Sequence, residues 1–149
     1  MKNLFDKATA QEIQQRIDKL NPASQRQWGK MNVAQMLAHC SVSMETATGQ
    51  LVIPRIFIGR VLAPFVKPMM YNDKSYGKNS PTGKEFIITD KRDFEKEKSK
   101  LKSLVTQFSE GGAAKCTTQP HSFFGKATSE EWSKGMYKHL DHHLQQFNA

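Results

Sequence analysis

Between Glu130 and Phe147, the residues Trp132, Met136, His139, Leu140, His143 and Phe147 recur at helical spacing and share one face of a helix. A helix with such a stripe is stable only when something covers it, so this run demands further elements packed on the final helix. Two imidazoles lie within the stripe. A buried ring nitrogen needs a hydrogen-bond partner or a metal ion. His139 and His143 stand four apart, a spacing that lets both rings face one ion. An H-x-x-x-H pair alone is common on helices, so the metal reading needs a third ligand from elsewhere in the chain.

Helical patterning supplies the covering elements. Thr9 and Glu12 have capping-box spacing, with Ile13, Ile17 and Leu20 following before Asn21-Pro22 stops a first helix. Asn32 and Gln35 open a second helix, which carries Val33, Met36, Leu37, Cys40, Met44 and Ala47 towards Gly49. His39 lies on the edge of its apolar face. A third helix spans Asp90 to Phe108, with Phe94, Leu101, Leu104, Val105 and Phe108 on one side, and Ser109-Glu-Gly-Gly-Ala ends it. After a loop from Cys116 to Lys126, Thr128 and Glu131 cap the final helix.

The expected class is all-α. The chain length of 149 residues fits one domain over residues 1–149. The roughly 40 residues between the second and third helices can run the length of a helix and return the chain in parallel, which gives a four-helix bundle with one long crossover.

Within that crossover, residues 51–71 are strongly apolar, but charges and prolines interrupt them well short of a membrane span. They read as a connection with a short helix near residues 54–61, and as a lid or a homodimer surface if they act beyond connecting. Residues 79–83 read as a turn.

The formal charge of +8 arises from 22 Lys and Arg against 14 Asp and Glu. Much of it lies in the crossover, where Arg55, Arg60, Lys67, Lys74, Lys78 and Lys84 face only Asp73. No basic block interleaved with aromatics appears, so nucleic acid is not the expected partner. The two cysteines show no framework spacing, which fits free thiols in a reducing compartment. Residues 1–20 lack the apolar core of a secretion signal, and a cytoplasmic location is expected.

Three histidines therefore occupy helical positions that can converge: His39, His139 and His143. Three protein ligands leave a position open for water or substrate, as a catalytic or substrate-binding ion requires. His142 lies one residue off the stripe and reads as a surface group or a support for its neighbours. His121, beside Pro120, reads as a loop anchor or a pocket-mouth residue. Cys40 lies about 100° round the helix from His39 and reads as a buried structural thiol. Asp141 points away from the stripe and receives no catalytic role. No other constellation competes as an active site, and no catalytic side chain is assigned.

The segment from Trp28 to Cys40, the loop Pro120-His-Ser-Phe-Phe-Gly125, and Glu131-Trp132 leading to His139-Leu-Asp-His-His-Leu-Gln-Gln-Phe147 together resemble the DinB/YfiT-like superfamily, in one of its uncharacterised branches. The resemblance covers most of the chain. It implies a four-helix bundle holding a divalent ion, nickel or zinc, through one His on the second helix and an H-x-x-x-H pair on the last. The matching positions are His39, His139 and His143. For activity it implies a metal-dependent thiol S-transferase or a related small-molecule enzyme, with a low-molecular-weight thiol as the candidate substrate. The competing expectation is a non-catalytic metal-binding, ligand-binding or stress-response module that dimerises through residues 51–71. A third is a hydrogen-bonded histidine cluster with no physiological metal.

Overall fold

The structure is a computed structural model describing residues 2–149, and it is all-helical. Five α-helices run in order: α1 (Lys7–Asp18), α2 (Val33–Ala47), α3 (Phe57–Val66), α4 (Phe94–Lys115) and α5 (Ser129–Gln146). Short 3-10 turns follow α3 at Lys67–Met70 and precede α4 at Lys84–Phe86. No strand occurs among the described residues; a single bridge pairs His121 with Gly125.

Two of the three expected capping boxes form. Asn32 Oδ1 accepts from the Gln35 amide at 2.9 Å while Gln35 Oε1 accepts from the Asn32 amide at 3.0 Å. Thr128 and Glu131 exchange the equivalent bonds at 3.1 and 2.9 Å. Each box satisfies two backbone donors at a helix start and fixes its first turn. The expected box at Thr9 does not form. Helix α1 begins earlier, at Lys7 after Asp6, and Thr9 is buried within it. The cause is tertiary: the Phe5 amide donates to Ser133 Oγ at 3.1 Å, and its ring stacks on Phe108 with centroids 4.8 Å apart. That anchor fixes the chain just upstream and draws the helix start with it.

The third long helix is also displaced relative to the sequence expectation. It starts at Phe94, capped by Asp93 Oδ1 accepting from the Lys96 amide at 2.8 Å. It continues past Phe108 until Gly112, whose φ of 56° leaves helical space. A positive φ is accessible to glycine at little cost, which is why the break falls there.

Helix α2 packs against both α4 and α5, and α1 packs against the same two. Their inward residues form one core that includes Ile13, Ile17, Met36, Leu37, Met44, Leu104, Val105, Phe108, Trp132, Leu140 and Leu144. Trp132 is buried with its indole N–H satisfied by the Gln119 carbonyl at 3.2 Å. Cys40 is enclosed in this core, where burial pushes its thiol pKa far up, so it is a packing residue.

The long connection between α2 and α4 holds α3, later than the 54–61 position read from sequence, because residues 54–56 stay outside the helix and Ile56 becomes the cap. Two contacts tie this connection down. The Lys67–Met70 turn packs on α5, where buried Lys138 donates to the Met69 carbonyl at 2.6 Å and to Asn72 Oδ1 at 2.8 Å. The Lys84–Phe86 turn packs on α2. Among the described residues, no helix is long and apolar enough to cross a membrane.

Candidate metal centre

His39 is carried by α2, and His139 and His143 by α5, one turn apart. Because α2 packs on α5, the three rings meet. Ring centroids lie 5.0 Å apart for His39 and His139, 4.6 Å for His39 and His143, and 4.7 Å for His139 and His143. One ring nitrogen from each falls within 4.8 Å of the others. No other His, Cys, Asp or Glu joins the group among the described residues.

Hydrogen bonds determine which nitrogens face inward. His39 Nδ1 lies 2.7 Å from the Phe86 carbonyl oxygen. A carbonyl only accepts, so Nδ1 carries the proton and Nε2 keeps its lone pair. His143 Nδ1 lies 2.9 Å from Gln146 Oε1, and Gln146 Nε2 donates to the Trp28 carbonyl at 2.7 Å. That second bond orients the Gln146 amide, so its oxygen accepts from His143 and His143 Nε2 is also unprotonated. Two of the three rings are therefore held in the tautomer that offers Nε2 to an ion, by outer partners of the kind that metal-bound histidines use.

His139 closes the group differently. Its Nε2 lies 3.0 Å from His39 Nε2, and its Nδ1 is enclosed with no hydrogen-bond partner among the described residues. Without an ion, His139 Nε2–H donates to His39 and leaves a bare lone pair at Nδ1. Two nitrogens bound at about 2.1 Å to one ion stand about 3.0–3.4 Å apart, so the observed separation also suits a shared ion. The donor set fits a borderline transition metal, because imidazole suits zinc, nickel, copper and iron.

The electrostatics favour the same form. Burial pushes the pKa of His39 down, partly offset by its bond to Phe86. Burial and the neighbouring rings hold His139 well below the ordinary imidazole range. For His143, burial and then His39 lower it to about 3. All three rings are neutral near pH 7, the state that binds metal.

The other sequence candidates fall outside the cluster. His121 anchors its own loop: Nδ1 accepts from the Phe123 and Phe124 amides at 3.1 and 3.2 Å, and the ring packs between Phe124 and Trp132. His142 packs between Trp28 and Tyr76, with centroids 5.5 and 5.9 Å away. Asp141 faces α1, pairing with Arg16 at 2.7 Å.

A family model described as a protein of unknown function (DUF1569) matches residues 4–149. The chain belongs to that family. No curated protein and no solved structure matches it. The site in this DUF1569 member must therefore be read from its own residues. Sequence reasoning located the three rings but missed two partners that orient them. Gln146 was legible in principle, since it stands three residues from His143 on the same helix. The Phe86 carbonyl was not, because a backbone acceptor brought in by a long connection leaves no residue-type signal.

Glycine at position 29 belongs to the same arrangement. Its φ is 81°, and a Cβ there would stand 2.5 Å from Gln146 Nε2. Only glycine lets the Trp28–Gly29 backbone close on the amide that orients His143.

Proposed function

We propose that His39, His139 and His143 hold one divalent transition-metal ion, nickel or zinc, and that the protein is a metal-dependent small-molecule enzyme, with thiol S-transfer as the leading reaction. The observation that carries this reading is the pair of fixed tautomers: Phe86 and Gln146 each engage an Nδ1 proton, leaving two Nε2 lone pairs free within a cluster of three rings. With three protein ligands and no fourth side chain, a coordination position stays available for a substrate atom. An ion there would lower the pKa of a thiol reaching that position and present it as a nucleophile to an electrophilic substrate.

The chain's own residues bind and orient. The Phe86 carbonyl holds His39, Gln146 holds His143, and the Trp28 carbonyl holds Gln146. The surrounding burial keeps the three rings neutral and excludes competing protons. In this reading the fold is a DinB/YfiT-type four-helix bundle formed by α1, α2, α4 and α5, with the crossover between α2 and α4. Support comes from the shared core of those four helices and from the length of the connection that carries α3.

The test is elemental analysis of untagged protein beside His39→Ala and His143→Ala. About one equivalent of metal in the wild type, lost in both variants, supports the centre. Thiol-dependent turnover of an electrophile panel, abolished by chelation and restored by the metal, supports the enzyme. A protein that neither carries nor takes up metal removes the reactive centre. One observation favours a second reading, a non-catalytic metal-holding module: His39 and His143 retain only 4% and 9% of their accessible surface. Stoichiometric metal without turnover on any electrophile selects it.

A further inference from the structure

Helix α3 has inverted amphipathicity. Its inward residues are the small ones, Gly59 and Ala63, and its large apolar residues point outward. A Cβ at Gly59 would stand 2.5 Å from the Phe123 carbonyl oxygen, so the helix lies against that loop through its smallest side chain. Phe57 and Phe65 are 79% and 82% exposed, and Ile58, Val61 and Leu62 are exposed beside them. At 100° per residue these five span an arc of about 140°, centred almost opposite Gly59 and Ala63. A contiguous exposed apolar face of this kind marks a contact surface.

The flank of the same helix is cationic. Arg60, Ala63, Pro64 and Lys67 form one wall of a groove of about 390 Å³, completed by Arg55, Tyr71, Phe124 and Lys126 among others. Lys67 pairs with Glu131 at 2.9 Å, whereas Arg60 and Lys126 make no ion pair among the described residues. Residues 51–72 contain three cations and no acidic residue.

We infer that α3 and its basic groove seat the protein on an anionic lipid surface. The exposed face enters the boundary between headgroups and acyl chains, while Arg60 and Lys126 meet lipid phosphates from the flank. An amphipathic helix with cations bordering its apolar arc binds by buried apolar area and by attraction to anionic headgroups together. Long cationic side chains at the border can extend to the phosphates while their stems stay in the apolar layer. A second copy of the chain suits the face less well. It would bring the same acid-free, cationic segment against itself in a chain of net charge +8.

The test is flotation of the full untagged chain with large vesicles, either of phosphatidylcholine alone or of phosphatidylcholine mixed equally with phosphatidylglycerol. Two double variants accompany it: Phe57→Ser with Phe65→Ser, and Arg60→Gln with Lys126→Gln. All four positions are solvent-exposed, and unchanged thermal melting checks that the variants fold. The expected result is flotation with the anionic vesicles only, weakened by salt. The Phe variant should reduce it by at least about tenfold, and the cation variant by about fivefold per charge removed. No flotation with anionic vesicles at low salt overturns the proposal. So does flotation unchanged in the Phe variant, which would assign binding to net charge alone. A concentration-dependent dimer abolished by the Phe variant, without flotation, overturns it in favour of an interface between copies.

Discussion

Gln146 is the residue on which the candidate centre most depends after the histidines themselves. Its amide takes a fixed orientation from the Trp28 carbonyl and passes that orientation to His143. Replacing it with Ala frees the His143 ring without touching any of the three imidazoles. The expected outcome for Gln146→Ala is a folded protein whose metal affinity falls by about 10- to 100-fold, measured by competition with a chromogenic chelator. Gly29→Ala should act along the same path. The added methyl meets the Gln146 amide and must also adopt a positive φ, so both stability and metal affinity should fall. Affinity equal to wild type in both variants would show that His143 needs no orientation from outside.

Among the elements, α5 does most of the organising. It contributes two of the three clustered histidines, the Gln146 support, and the central core residues Trp132, Leu140 and Leu144. Its start rests on the Thr128 capping box, so Thr128→Ala should destabilise the protein by about 1 kcal/mol in denaturant unfolding, with metal content unchanged. Lys138 connects α5 to the α2–α4 connection through the Met69 carbonyl and Asn72, with its ammonium 4.4 Å from the Tyr76 ring centroid. Lys138→Met should leave the core intact but loosen that connection, read as faster proteolysis within residues 67–90. The same connection delivers the Phe86 carbonyl to His39. Loosening it should therefore weaken metal retention as well, linking an element with little core of its own to the geometry of the centre.

For the molecule as a whole, the neutral buried histidines imply a defined acid sensitivity. The folded-state pKa of His121 is lowered to about 4 by burial and then Arg55, that of His143 to about 3, and those of His39 and His139 are lowered in the same direction. Below the unfolded-state value near 6.5, the unfolded chain binds protons that the folded chain refuses. Stability of the metal-free protein is thus complete above about pH 6.5 and declines as pH falls towards 4. Each such histidine contributes about 1.4 kcal/mol per pH unit where the difference is a full proton. Urea unfolding of chelator-treated protein between pH 7 and 4 should show this decline, with a shallower slope in His121→Gln if that variant folds. A bound ion should protect further, because it must be displaced before His39, His139 or His143 can be protonated.

The sequence by itself determined the all-helical class, the final helix with its stripe, two capping boxes, and the helical positions of His39, His139 and His143. These features are periodic or local, and helical geometry turns spacing into position within a few residues. Only the tertiary structure decided where α1 begins, because Phe5 is held by Ser133 and Phe108 from the distant end of the chain. It also placed Trp28 beside α5, where its carbonyl holds Gln146. It turned α3 large side out, since close approach to the Phe123 backbone selects the glycine face. The Phe86 carbonyl belongs to the same class of outcome. Every residue carries a carbonyl, so which one reaches a ring is decided by how a long connection packs, and residue types do not record it.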